Sequence, residues 1–205
     1  MSIVKVCGMR EPDNIRAVEA LGIDWLGFIF WPRSSRYVAE KPDYLPTLAK
    51  RVGVFVDADI NDMLRHIADY RLDLVQLHGH ESPDYIRALR QETKDGHGII
   101  KAISVSSHTD VAAYQPYEGL VDYFLFDTKA QLVGGNGVKF DWSVLNEYHG
   151  HTPFLLSGGI GPDDAGRLHH FHHEKCVGID LNSRFEVAPA LKDINSLKRF
   201  LYEQD

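Results

Sequence analysis

Apolar and polar positions alternate along this chain in blocks rather than residue by residue. Eight short runs rich in β-branched and aromatic residues recur at fairly even spacing. They are IVKVCG (3–8), WLGFIF (25–30), RVGVFV (51–56), LVQLHG (74–79), IIKAISV (99–105), YFLFD (123–127), PFLLSGG (153–159) and VGIDLNS (177–183). Most are nearly continuous in apolar character, the pattern of strands covered on both faces. Helical signals fill most of the gaps. EPDNIRAVEALG carries Pro12 in its first turn and Gly22 past its end, the usual punctuation of a helix. DINDMLRHIADYRL and SPDYIRALRQETKDG place apolar residues at helical spacing behind Asp59 and Ser82, which read as N-caps. GPDDAGRLHHF and KDINSLKRFLYEQ follow the same rule. The segments PDYLPTLAK, HTDVAAYQ and DWSVLNEY, after the second, fifth and sixth strands, carry weaker helical patterns. Eight strand–helix units without a linker, composition break or fixed-period repeat predict one α/β domain over residues 1–205, a (β/α)8 TIM barrel. The alternative, a doubly wound open sheet, would carry a Gly-rich fingerprint after its first strand, and CGMREPDN has no GxGxxG.

Composition narrows the function classes. The 205 residues are 44% apolar and 25% charged, with a net charge of −7, so neither nucleic acid nor an anionic membrane surface is the expected partner. A small anionic ligand stays open, because local arginines and Gly-rich loops can bind one. The two cysteines, Cys7 and Cys176, lie far apart with no CxxC, which argues for a reducing compartment over a disulfide scaffold. MSIVKVCGMR lacks a basic region followed by a long apolar stretch, and no apolar run reaches membrane-spanning length, so a cytoplasmic location is expected.

In a barrel of this kind the chemistry sits at the C-terminal ends of the strands. Those ends supply Cys7, Arg36 in the loop after strand two, Asp57, His78, Asp127, Gly158–Gly159 and Asp180–Ser183. A thiol at Cys7 and a carboxyl at Asp127, on strands nearly across the barrel from each other, suit a general base and general acid. The thiol needs a lowered pKa, for which Lys5, two residues earlier on the same face, is the candidate cation. The carboxyl needs the opposite shift, through burial beside YFLF. Taken singly, a buried cysteine is more often a small hydrophobe and a strand-end aspartate more often a cap. Asp57, in DADIND, reads as helix-start chemistry. LLSGGI is sharper: two glycines after strand seven, with a helix following at Pro162, fit a phosphate site completed by DLNSRFE after strand eight. The long Gly-rich segment TKAQLVGGNGVKFDW, directly after Asp127, is expected to be a lid. The histidines His169, His172 and His173 end the seventh helix, at the opposite face from the site, and read as helix C-terminal residues rather than a metal centre.

Together the stretches KVCGMR, GFIFWPRSSRYV, VGVFVD, VQLHGHE, FLFDT with GGNGVKFDW, LSGGI and GIDLNSRFE run from end to end in the order found in the phosphoribosylanthranilate isomerases, and the chain resembles that family. The resemblance implies an Amadori rearrangement of N-(5-phospho-β-D-ribosyl)anthranilate in tryptophan biosynthesis, with an anionic phosphosugar substrate and neither cofactor nor metal. It implies that Cys7 is the general base and Asp127 the general acid. It implies that Arg36 holds the anthranilate end, that Asp180 lines the pocket near the sugar, and that Gly158, Gly159, Asn182 and Ser183 bind the phosphate. A monomer and a homodimer are both compatible with it. The sequence departs from the family's usual pattern at Trp31, Ser35, Asn136 and Arg184, the last within the phosphate loop.

Overall fold

Eight parallel strands close on themselves in chain order: β1 (Ile3–Val6), β2 (Trp25–Ile29), β3 (Lys50–Phe55), β4 (Leu74–Leu77), β5 (Gly98–Val105), β6 (Tyr123–Thr128), β7 (Phe154–Ser157) and β8 (Cys176–Leu181). β8 returns beside β1 with Ile3 opposite Gly178 and Val6 opposite Leu181. The computed structural model describes residues 3–94, 96–128 and 141–203. The continuous apolar runs have two destinations. Trp25, Val52, Leu74, Ile100, Leu125 and Leu155 point inward and fill the lower barrel. Their neighbours Leu26, Phe28, Val75, Phe124, Phe126 and Leu156 point outward into the layer under the helices, so both faces of each strand exclude water.

The helices are α1 (Pro12–Glu19), α2 (Ile60–Tyr70), α3 (Pro83–Thr93), α4 (Ala165–His170) and α5 (Ile194–Tyr202). Asp59 caps α2 by accepting from the Asn61 N–H, and Ser82 caps α3 by accepting from Tyr85. The three weak segments depart from the α-helical expectation. Residues 108–117 and 142–147 form 3₁₀ turns, and no helix joins β2 to β3. Pro42 and Pro46 remove backbone donors from that connection. Glu19 at the end of α1 stands in for the missing helix. Its carboxylate accepts from the N–H groups of Thr47, Leu48 and Ala49 at 2.7, 2.6 and 3.0 Å, and Tyr44 donates its hydroxyl to it.

The bottom of the barrel carries a recurrence that the sequence reading missed. Asp24, Asp73 and Asp122 each immediately precede an even-numbered strand. Each carboxylate accepts from a backbone N–H on the preceding odd strand: Val4 at 2.7 Å, Arg51 at 2.8 Å and Ile99 at 2.7 Å. Each aspartate's own N–H donates back to the carbonyl of that same residue. At the top, a short antiparallel ribbon, β9 (Glu186–Ala188) and β10 (Leu191–Lys192), follows β8 before α5.

Candidate active site

Cys7 directly follows β1 and is 3% exposed. Its N–H donates to the Leu181 carbonyl at 2.9 Å, which ties it to β8. On the other side stands Gly27, where a Cβ would lie 2.8 Å from the Cys7 Sγ; the absence of a side chain there makes room for the thiol. Lys5, one turn of the pleat below, is fully buried and its Nζ lies 2.8 Å from Asp180 Oδ1. Ser157 donates its hydroxyl to the other Asp180 oxygen at 3.2 Å.

Lys5 bears electrostatically on the thiol. The expected lowering of the thiol pKa is nevertheless corrected. Burial pushes the Cys7 thiol up, Lys5 opposes this, Asp180 adds to it and Lys192 opposes it, and the net direction is upward. The resting group is the neutral thiol. The Lys5 ammonium itself is raised, because Asp180 and Cys7 overcome the cost of its burial.

Asp127 lies near the end of β6, 20% exposed, with Oδ2 at 3.5 Å from His78 Nε2. The His78 Nδ1 sits 2.9 Å from the Gln76 amide nitrogen. With Gln76 donating to Nδ1, the proton of a neutral His78 resides on Nε2, facing Asp127. Cys7, Gln76, His78, Asp127, Ser157 and Asp180 line one cavity of about 180 Å³ together with Gly158, Gly159, Asn182, Ser183 and Arg184. Seven of the eight site residues expected from the sequence therefore meet at one place.

Arg36 stands beside that cavity rather than in its wall. Its guanidinium makes a two-pronged pair with Glu186, Nε to Oε1 at 2.9 Å and Nη2 to Oε2 at 2.7 Å. Glu186 in turn accepts from Lys192 Nζ at 2.6 Å, and Lys192 also donates to Asn182 Oδ1 at 2.8 Å. Burial alone would raise the Glu186 carboxyl; Arg36 and Lys192 overcome it and hold it below the usual carboxylate range. Burial lowers Lys192 despite that partner. Gly8, at φ +78°, lets this cluster approach the strand end: a Cβ there would meet Arg36 Cδ at 2.7 Å and Asn182 Oδ1 at 2.9 Å. Glu186 and Lys192 were absent from the sequence reading, and nothing in EVAPALKD distinguishes them from surface charges.

The four residues expected at the phosphate line the cavity, and the backbone after the glycines differs from expectation. Gly158 and Gly159 have φ of +94° and +65° and line the cavity opposite Asn182 and Ser183. The helix expected from Pro162 begins instead as a 3₁₀ turn, Pro162–Asp164, and Gly161 N–H is already taken by Asp164 Oδ2 at 2.9 Å. Arg184 is exposed and lines the cavity mouth. The proposed lid, with Asn136, falls almost wholly on 129–140 and so outside the described residues.

Asp59, not Asp57, caps α2; Asp57 has φ +49° and accepts from the His80 backbone N–H at 2.5 Å. His169 and His173 contact the carbonyls of Glu203 and Tyr148 at 2.8 and 3.2 Å, away from the cavity. Cys7 and Cys176 are both free thiols, and burial pushes Cys176 up to about 11. No helix among the described residues is long and apolar enough to cross a membrane.

The whole chain is similar to proteins of one kind. A relative from Parabacteroides distasonis named N-(5'-phosphoribosyl)anthranilate isomerase is 50% identical over 98% of this chain and 92% of its own. The crystal structure of phosphoribosyl anthranilate isomerase from Thermotoga maritima superposes with a TM-score of 0.81 at 29% identity, covering 100% of this chain and 98% of that one. A phosphoribosyl anthranilate isomerase crystallised with reduced 1-(o-carboxyphenylamino)-1-deoxyribulose 5-phosphate superposes with a TM-score of 0.80 at 28% identity, covering 100% of this chain and 98% of that one. The model of the N-(5'-phosphoribosyl)anthranilate isomerase family matches residues 4–203, from β1 through α5, and the chain belongs to that family.

Proposed function

We propose that this chain performs the family's reaction with Cys7 as general base and Asp127 as general acid. The observation that carries the reading is one cavity that joins a buried thiol, a half-buried carboxyl and two Gly- and Ser-containing loops able to take a phosphate. The substrate is N-(5'-phosphoribosyl)anthranilate, a small phosphosugar, and two free thiols suit a reducing, cytoplasmic setting.

Asp127 gives its proton to the furanose ring oxygen. The C1–O bond breaks as the nitrogen lone pair forms C1=N, which leaves an open-chain iminium. The Cys7 thiol loses its proton to solvent, and as thiolate it takes the proton from C2; the C–H electron pair forms C1=C2 while the C=N pair returns to nitrogen. The resulting enolamine tautomerises to the 1-deoxyribulose product; Asp127 has given one proton and Cys7 has taken one, and exchange with solvent restores both. Lys5 stabilises the thiolate that burial disfavours. The His78 Nε2–H faces the Asp127 carboxylate left after proton transfer. Binding of the phosphate by the 158–159 and 182–183 loops and of the anthranilate carboxylate by Arg36 fixes both ends, so C1 and C2 rest between acid and base.

The test follows the loss of fluorescence of freshly prepared phosphoribosylanthranilate. Wild type consumes it. Cys7→Ala and Asp127→Asn each lower kcat by roughly 10²–10⁴-fold, the usual contribution of a positioned acid or base. Folded variants with wild-type turnover would remove the acid–base assignment, and an inactive wild type would remove the activity.

A further inference from the structure

We propose that Lys192 is a positioning residue that couples the two ends of the substrate site, through Glu186 to Arg36 and through Asn182 to the loop after β8. The proposal rests on the reading of Arg36 as the anthranilate contact and of 182–183 as a phosphate contact.

Lys192 ends the β9–β10 ribbon, outside the eight barrel strands, yet its side chain is fully buried. Its backbone is pinned to α1, with Lys192 N–H donating to Asn14 Oδ1 at 2.8 Å and Asn14 Nδ2 donating to the Lys192 carbonyl at 2.9 Å. The point from which the ammonium emerges is therefore fixed. A buried ammonium is costly to desolvate, and an apolar chain of the same length would fill the space without that cost. Here the charge is directed at two partners only 2.6 and 2.8 Å away, one leading to each end of the site.

The charge count gives the ammonium a task. Arg36 and Glu186 alone form a neutral pair, which offers little to an incoming carboxylate. Lys192 shares the same Glu186 carboxylate, so the triad carries one net positive charge while both prongs of Arg36 stay held. Arg36 is thus oriented without being neutralised. The wider cluster around Cys7 (Lys5, Arg36 and Lys192 against Asp180 and Glu186) likewise sums to +1 with the thiol protonated. It is built to receive one anion.

The test uses competitive inhibition by anthranilate and by inorganic phosphate as separate readings of the two ends. In Lys192→Met, checked for folding by thermal melting, both Ki values rise by roughly tenfold, and KM rises more than kcat falls. The double variant E186Q/K192M leaves no buried carboxylate or ammonium in the triad and restores its +1 charge. It recovers the anthranilate Ki to within about threefold of wild type but keeps the phosphate defect, because Asn182 is still unheld. This second variant also serves if the single one does not fold. A folded Lys192→Met in which either Ki is unchanged overturns the coupling, as does a double variant with a wild-type phosphate Ki. Arg36→Met is the control for the underlying site. If it leaves the anthranilate Ki unchanged, the Arg36 assignment has failed rather than the role of Lys192.

Discussion

Gly27 leaves the space in which the Cys7 thiol sits, and Gly27→Ala puts a number on it. An ideal Cβ at position 27 would lie 2.8 Å from Sγ, 3.1 Å from Cα and 3.3 Å from Cβ of Cys7. Ordinary carbon contacts sit near 3.5–4.0 Å, so about 1 Å must be found. The backbone is poorly placed to supply it. Val6 pairs in register with Leu26, Met9 N–H donates to the Gly27 carbonyl at 2.9 Å, and Cys7 N–H is held by Leu181. The thiol is what moves. Overpacking of this kind costs about 1–3 kcal/mol, which for a domain of this size lowers Tm by roughly 2–4 °C per kcal/mol. The larger effect falls on chemistry, where a displacement of about 1 Å in a reacting group costs on the order of 10²-fold. Steady-state kinetics on the folded variant read kcat, and the double variant C7A/G27A supplies the control. With no sulfur to displace, the added methyl costs kcat little beyond Cys7→Ala alone, while its contacts with Cα and Cβ of residue 7 still cost stability, so the two effects on kcat are strongly sub-additive. A folded Gly27→Ala enzyme with wild-type kcat, or full additivity in the cycle, refutes the argument that the thiol's position matters to catalysis.

Four further outcomes concern other residues. Glu19→Ala strips the acceptor from three consecutive N–H groups of the β2–β3 connection; it should cost about 2 kcal/mol in thermal or urea unfolding and leave kcat intact. The Glu186 carboxyl is depressed in the folded state, so its stabilisation is complete above the unfolded value near 4.3 and is lost as pH falls through the folded value. The Tm difference between wild type and Glu186→Gln should therefore be largest above about pH 5 and close on acidification. Cys176, pushed up to about 11, should resist iodoacetamide at pH 8 and react as that value is approached. Cys176 enters β8 five residues before Leu181, the residue bonded to Cys7, a separation of roughly 16 Å along the strand. An oxidant should therefore give no Cys7–Cys176 disulfide by mass spectrometry.

The barrel was legible because its signal is local and repeated. Eight apolar runs each correspond to one strand, and Asp59 and Ser82 cap the helices they precede. The strand ends then pointed to Cys7, Asp127, Asp180, Gly158–Gly159 and Asn182–Ser183 without any further structural information. What the sequence hid depends on contacts between distant segments. Glu186 and Lys192 look like solvent-exposed charges until the ribbon folds over the rim and buries them against Gly8. The missing second helix was foreshadowed by Pro42 and Pro46, but the acceptor that replaces it, Glu19, lies in another unit. The sign of the Cys7 shift also depended on burial: Lys5 was read as a neighbour, whereas its closest partner, Asp180, comes from the far end of the chain.

The three aspartates at the foot of the barrel divide the chain in a way its strand count does not. Each joins an odd strand to the even strand after it: Asp24 to Val4, Asp73 to Arg51 and Asp122 to Ile99. A chain opened between Lys94 and Gly98 keeps every one of these pairs within a single fragment. Opening it between β3 and β4, or between β5 and β6, separates the partners of one. The first cut leaves two half-barrels whose mating edge holds the buried pair Lys101–Glu81, at 2.9 Å, as a register mark. Fragment complementation should succeed at that seam and falter one strand to either side.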